Sequence, residues 1–392
     1  MAAVFWVTVL LLAHTYFLYP LTLLLWDAGR QASGLRRYLV QGLDRRNRRG
    51  EAYTPMVTLL VPAHDESEVI AGKLENSLSF DYPEGLLEVV VGSDGSTDGT
   101  DQYVAGCPDP RVRLSAAPRG GKVAVLNRCI PSAAGEIVVL TDANTMIDKR
   151  AIRALVRRFL DPDVGAVVGR LKLYNRRRRE YEESLYWSYE TLLKHWEGAH
   201  GAVLGANGGL YAIRRGLFER LPADTVVDDF VLPVGLLERG YRVVYEPEAV
   251  AYEETTEDYS KEFDRRARIS AGNFQALQRH AGLLLPWRAP FAAYAFLSHK
   301  VLRWLAPFLM ALALVSNVLL APRGPLYAVL LLGQLSFYAL ALLGMSGRLT
   351  GPLRRAASAA RYLVSMNAAL AVGFWRWVRH AQGAAWERTA RT

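Results

Sequence analysis

Four short polar segments carry side chains able to hold a charged, oxygen-rich ligand: VPAHDESE (61–68), VGSDGSTDGT (91–100), PRGGKVAVLN (118–127) and LTDANT (140–145). A nucleoside diphosphate needs acceptors for its base and ribose, a cation for its phosphates, and a hard divalent metal held by oxygen ligands. Asp65 and Asp94 can accept from a base and a ribose. Lys122 is a point charge for phosphate, and Asp142 with Asn144 offers oxygens to Mg2+ or Mn2+. Neither GxxxxGK[ST] nor GxGxxG occurs, which disfavours ATP-type and dinucleotide sites.

Each segment also has a plain structural account. Ser, Asp, Thr and Gly are what turns and helix caps prefer, so SDGSTDGT could be a turn and Asp142 a cap. The elements around them argue for more. MVTLLVPA (56–63), LEVVVGSD (87–94) and EIVVLTDA (136–143) are unbroken apolar runs, as expected of strands buried on both faces. Helix-like spacing fills 68–79, 99–107 and 122–130. That βαβαβ order predicts an α/β fold with a parallel, doubly wound sheet, whose ligands bind outside the carboxyl ends of the strands. All four polar segments fall at such ends.

Beyond this core, 148–160 reads as a helix and 176–195 as a longer one, whose aromatic face suits packing more than sugar stacking. AVLGANGGLYAIRR, from Ala202, is a glycine-rich loop flanked by strand-like residues. RVVYEPEAVAYEE, from Arg242, reads as a strand pair around a proline turn.

The ends of the chain differ in composition. Residues 1–26 contain no Lys or Arg and are long enough to span a bilayer. Arg30, Arg36, Arg37, Arg45, Arg46, Arg48 and Arg49 follow, which places the polar middle on the cytoplasmic side. Residues 304–320 and 326–345 are two further spans joined by APRGP, 291–303 reads as a helix in the headgroup plane, and 356–375 is a weaker candidate. The net charge of +9 sits largely beside apolar segments, so lipid headgroups rather than nucleic acid are its partner. Cys107 and Cys129 have no paired spacing and read as small buried side chains in a reducing compartment.

The order of these motifs resembles glycosyltransferase family 2 with its GT-A fold, a doubly wound mixed sheet, and in particular its membrane-integrated polysaccharide synthases. The likeness covers roughly residues 55–278. It implies that Asp65 and Asp94 contact uridine, Lys122 the diphosphate, and Asp142-Ala143-Asn144 a variant metal site with one neutral ligand. Asp228 and Asp229 of VVDDF match the family's acidic pair, with Asp229 as general base; a helix cap is the plain alternative. GANGG (205–209), with Gly208, resembles the acceptor-side loop. In FDRRARISAGN, Arg266 and Arg268 fall on the basic positions of the QxxRW-type element, while Arg265 and Ile269 replace its Gln and Trp.

The resemblance implies a nucleotide-sugar donor, a glycan or lipid-linked acceptor, and inversion at the transferred sugar. The expected layout is a span at 1–26, a basic linker at 27–52, a cytoplasmic catalytic domain at 53–280, an interface region at 281–303 and a membrane region at 304–392. Single-sugar transfer to a polyprenyl phosphate or other lipid is the runner-up. A catalytically silent sugar-nucleotide scaffold is the reading from another class.

Overall fold

The computed structural model describes residues 1–41, 53–175, 180–181, 185–254, 259–345 and 350–383. Helix α1 (Ala2–Ala13) runs through a π turn (His14–Leu18) into α2 (Tyr19–Gln41). There follow β1 (Val57–Ala63), α3 (Ser67–Leu78), β2 (Leu87–Asp94), α4 (Thr100–Ala105), β3 (Val112–Ala117), α5 (Lys122–Cys129), β4 (Ile137–Leu140), β5 (Met146–Ile147), α6 (Ala151–Val156) and β6 (Val164–Asn175). After these come β7 (Glu180–Tyr181), α7 (Leu185–Ala199), β8 (Tyr211–Arg214), α8 (Asp228–Glu238) and β9 (Arg242–Glu254). The remaining helices are α9 (Tyr259–Arg279), α10 (Pro290–Ala295), α11 (Leu302–Leu320), α12 (Pro325–Leu343) and α13 (Gly351–Val378). Two units form: Leu23–Glu257 with His280–Ala295 and Gly383–Thr392, and Met1–Thr22 with Asp258–Arg279 and Phe296–Gln382.

In the first unit one sheet has the order β3-β2-β1-β4-β8-β6-β9-β5, with β7 paired to β6. Strands β1 to β4 are mutually parallel, as the three apolar runs require. β8 then pairs antiparallel with both β4 and β6, which makes the sheet mixed. β1 is buried along its whole length, so its apolar residues all add burial to the core, while Thr58 is satisfied by donating to Glu88 at 2.6 Å. Register fixes the ligand edge: Ala63 lies opposite Ser93, and Leu60 opposite Leu140. The loops that begin at His64, Gly95 and Thr141 therefore leave the sheet side by side.

Three sequence expectations change. The strand pair expected at 242–254 is one strand, β9, whose register against β6 shifts between Gly169 and Arg170. Pro247 sits in that bulge, where no ladder N–H is needed, and the buried Glu246 beside it is held by Arg157 and Arg158. The long helix expected from Arg176 begins, among the described residues, at Leu185, because Glu180 and Tyr181 pair with Asn175 and Tyr174 as a short ribbon. The helix expected at 148–160 is shorter, α6 followed by a 3-10 turn to Leu160, and the preceding residues Met146–Ile147 are spent on pairing with β9.

In the second unit the α9 and α13 backbones approach closely: Ser270 Oγ donates to the Leu370 carbonyl at 3.0 Å, and a Cβ on Gly373 would fall 2.5 Å from the Ala267 carbonyl oxygen. His14 Nε2 and Ser298 Oγ lie 2.9 Å apart, and Thr15 Oγ1 donates to the Ser298 carbonyl at 2.7 Å, so the π turn at His14–Leu18 faces a second one at Phe296–Val301. Among the described residues three helices are long and apolar enough to cross a membrane: Ala2–Ser33, Pro290–Arg323 and Pro325–Leu343. The first continues through residues 27–41, which the sequence reads as linker; the arginines at 45–49 lie outside the described residues. Residues 291–303, expected as a helix in the headgroup plane, run on into the second of these helices. α13, with Arg354, Arg355, Arg361 and Arg376 along it, falls outside that set.

Candidate active site

The carboxyl edge of the α/β unit gathers a compact set of charges. Lys122, the first residue of α5, directs Nζ to Asp142 Oδ1 at 3.0 Å and to Asp228 Oδ2 at 3.6 Å. These residues come from α5, the loop after β4 and the start of α8, so the sheet topology alone brings them together. Burial acts to lower the Lys122 pKa, but Asp142, Asp228 and Asp229 outweigh it and hold the ammonium charged well above its ordinary range. Tyr211 of β8 donates to Asp228 Oδ2 at 3.4 Å.

Asp229 is pushed up to about 6, first by burial and then by the charge of Asp228, with Lys122 and Lys194 acting in the opposite direction. A carboxylate in that range is half converted to base just below neutral pH. Both acids lie in the first turn of α8, where a helix dipole favours negative charge. The N-cap position is Val227, which has no capping group, so both acids stand inside the first turn rather than at the cap.

Gly208 completes the wall opposite. A Cβ added there would stand 3.0 Å from Asp142 Oδ2 and 3.7 Å from Lys122 Nζ, so only hydrogen leaves the carboxylate accessible. The loop is tied down by Ala206 N–H, which donates to the Asp229 carbonyl at 2.7 Å, and by Thr141 Oγ1, which donates to the Gly209 carbonyl at 2.7 Å.

Asp65 and Asp94, the expected uridine contacts, stand just after β1 and at the end of β2 and have partners of their own. Asp94 is fully buried, and its two oxygens accept from Gly120 N–H at 2.7 Å and Gly121 N–H at 3.0 Å, with Arg119 Nε 3.7 Å away. It fixes the loop that presents Lys122, and its oxygens do not face open solvent. Asp65 has a positive φ of 51°, a strained conformation for a side-chain-bearing residue, and its Oδ1 accepts from Thr97 N–H at 2.7 Å. Asp98 accounts for part of SDGSTDGT in plain structural terms: it accepts from Ser67 N–H at 2.9 Å and Thr100 N–H at 3.1 Å, tying α3 to α4. Arg266 and Arg268 lie on α9, in the helical unit, where Arg266 donates to Glu262 at 2.6 Å and to the Tyr362 hydroxyl at 3.2 Å.

Two lysines at this edge are absent from the motif reading. Lys73 of α3 is wholly buried, donates to Thr141 Oγ1 at 3.0 Å and to the Thr145 carbonyl, and so holds both ends of the loop bearing Asp142 and Asn144. Burial lowers its pKa to about 7, with Asp142 opposing. Lys194 of α7 donates to Asn207 Oδ1 at 2.6 Å. A signal was present in each case: Lys73 falls between Ile70 and Leu74 on an apolar helix face, and Lys194 beside Leu193 and Trp196, where a charge needs a reason.

For a metal, Asp142 and half-buried Asn144 offer two hard oxygen donors on one loop, and the described residues contain no group of three His, Cys, Asp or Glu that could hold an ion alone. Such a donor set fits Mg2+ or Mn2+, which bind through one or two protein oxygens and complete their shell with phosphate and water.

A mixed α/β sheet thus gathers a lysine, an acidic loop and an acidic pair at one edge. Residues 55–272, more than half of the chain, match the family described as glycosyltransferase-like family 2, and the chain belongs to that family. It is 26% identical over 234 residues to a protein named as the probable glycosyltransferase YdaM of Bacillus subtilis (56% of this chain, 55% of that protein). It is 26% identical over 231 residues to the poly-beta-1,6-N-acetyl-D-glucosamine synthase of Staphylococcus aureus strain COL (57% and 56%). The chain thus spans little more than half the length of these curated relatives. Its fold is similar to that of the mannosyltransferase PcManGT from Pyrobaculum calidifontis, solved with GDP-Man and Mn2+, with a TM-score of 0.67, 26% identity, and 97% and 100% of the two chains covered. The fold is GT-A.

Proposed function

We propose that the chain is an inverting, membrane-integrated glycosyltransferase that moves a hexose or N-acetylhexosamine from a nucleotide sugar to a hydroxyl of a growing glycan or lipid-linked acceptor, on the cytoplasmic face. The observation that carries the reading is the cluster of Lys122, Asp142, Asp228 and Asp229, in which a permanent cation and a carboxylate of near-neutral pKa share one edge. Asp229 takes the proton of the acceptor hydroxyl as that oxygen attacks the sugar's anomeric carbon. The bond from that carbon to the diphosphate breaks, its electron pair leaves with the nucleoside diphosphate, and inversion follows from the single displacement. Lys122 compensates the charge gathering on the leaving group, and Asp228 holds Lys122 in place. Asp142 and Asn144 would hold the divalent cation, whose chemistry is to neutralise the diphosphate.

UDP-hexose and UDP-N-acetylhexosamine are the donors proposed first, on the likeness to the N-acetylglucosamine polymer synthase. GDP-mannose is the second, because the likeness to PcManGT covers nearly the whole chain. Ile269, where the processive motif carries Trp, supports single-sugar addition to a lipid as the second acceptor reading. The test is nucleoside diphosphate release by the detergent-purified protein from a panel of UDP- and GDP-sugars, with and without Mn2+, followed by product sizing. Release that survives both Asp142→Ala and Asp229→Asn undiminished sinks the assignment, and so does release from none of the donors.

A further inference from the structure

Beneath the acceptor-side loop lies a buried cation whose charge also acts on Asp229. Lys194 is 6% exposed, and its Nζ donates to Asn207 Oδ1 at 2.6 Å. Asn207 stands between the two anchored points of the same loop: Ala206, bonded to the Asp229 carbonyl, and Gly208, packed against Asp142. Glu190 and Glu197, one helical turn to either side of Lys194 on α7, are also buried, so a polar stripe of that helix faces inward. A buried ammonium is retained against a desolvation penalty, and its nearest loop partner is the side chain at the middle of the glycine run.

We propose that Lys194 is a positioning residue that fixes the 206–209 loop through Asn207, and thereby sets how the acceptor is held against Asp229. The proposal rests on the active-site reading above and specifies its acceptor side. The donor side is built from other elements: Lys122 on α5 and Asp142 after β4, held by Asp94 and Lys73. Asn207 makes neither of the loop's two contacts to that side, the Gly209 carbonyl with Thr141 and Gly208 against Asp142, so loss of its bond falls first on acceptor binding. Asn207, with its backbone otherwise committed to a turn that receives the Leu210 N–H at 3.3 Å, is the point where α7 and the loop meet.

The experiment compares the full-length protein with Lys194→Met, Asn207→Ala and the double variant. Hydrogen exchange needs no substrate: amides of residues 205–210 should exchange about tenfold faster in each single variant, with no further gain in the double, because both remove the Lys194–Asn207 bond that holds the loop. Peptides from β1 and β2 report whether the fold is intact, and Asn207→Ala, on a half-buried loop, covers the case in which Lys194→Met fails to fold. With UDP-GlcNAc as donor and either a chito-oligosaccharide or a polyprenyl phosphate as acceptor, acceptor KM should rise about tenfold while donor KM moves less than about twofold. Unaltered exchange in both single variants, or additive effects in the double, overturns the role of Lys194 whatever the enzyme's substrates are. Transfer unaffected by Asp229→Asn would instead undo the active-site reading while leaving the exchange result standing.

Discussion

Lys122 Nζ stands 3.0 Å from Asp142 Oδ1, so the cation suited to phosphate and the carboxylate suited to a metal already neutralise each other. A diphosphate arriving with its metal would exchange this one pair for two, phosphate with Lys122 and metal with Asp142. Lys122→Met leaves three acids without their cation and removes the compensation of the leaving group. We expect a loss of roughly 100-fold in kcat/KM, about 2.8 kcal/mol of transition-state stabilisation, with weakened nucleoside diphosphate binding. Calorimetric titration with UDP and GDP checks the binding part, and unaltered affinity would remove Lys122 from the phosphate site.

The pH dependence follows from Asp229. Its pKa is about 6, raised by burial and by Asp228, so kcat/KM should climb through pH 6 as the base loses its proton. Asp228→Asn removes one raising charge, and the acid limb should move to lower pH. Lys122→Met removes a lowering charge and should move it higher. Stability carries the opposite trend. The native state binds this proton more tightly than the unfolded chain, whose carboxyl titrates near 3.8, so the contribution is complete below that value and lost as pH rises through 6. Denaturation midpoints of the wild type and Asp229→Asn across pH 4 to 7 would display it, and parallel curves would contradict the shifted pKa.

Much of this arrangement was legible in the chain because it rests on local pattern. The three unbroken apolar runs became β1, β2 and β4, and parallel pairing then forced their polar ends together. What the pattern could not convey was direction. Asp94 and Asp65 look equally available in a motif, yet Asp94 turns inward to two glycine amides, because the loop carrying Lys122 must be held against β2. Pro247 reads as a turn until its strand is seen to bulge around Glu246. Lys73 and Lys194 act across 68 and 13 positions of sequence, and no short-range spacing announces such contacts.

Gly208→Ala separates fold from chemistry. Gly208 is not among the glycines with positive φ, so the backbone accepts alanine, and stability should change by less than about 1 kcal/mol. The new methyl would sit 3.0 Å from Asp142 Oδ2, tighter than an ordinary contact, and displace the carboxylate or the loop. A protein with the wild-type melting temperature and at least about a tenfold loss of transfer is expected. Full activity would show that the Asp142 face toward Gly208 is not used.

Metal binding should depend on the nucleotide. Asp142 is paired with Lys122, Asn144 contributes a neutral oxygen, and Lys73 places a second cation beneath the same loop, bonded to Thr141 and Thr145. Lys122 and Lys73 therefore oppose a free divalent ion, and Asn144 offers it no charge. Mn2+ titrated alone, followed by its electron paramagnetic resonance signal, should bind only in the millimolar range, while Mn2+ with UDP or GDP should bind at least about tenfold more tightly, because phosphate oxygens complete a shell that two protein oxygens cannot. Asp142→Ala should abolish that gain. Asn144→Asp, which restores a charged ligand, should strengthen binding of the ion alone. Tight Mn2+ binding to the wild type without nucleotide would mean that further ligands reach the ion and that Asp142 is not held by Lys122 in solution.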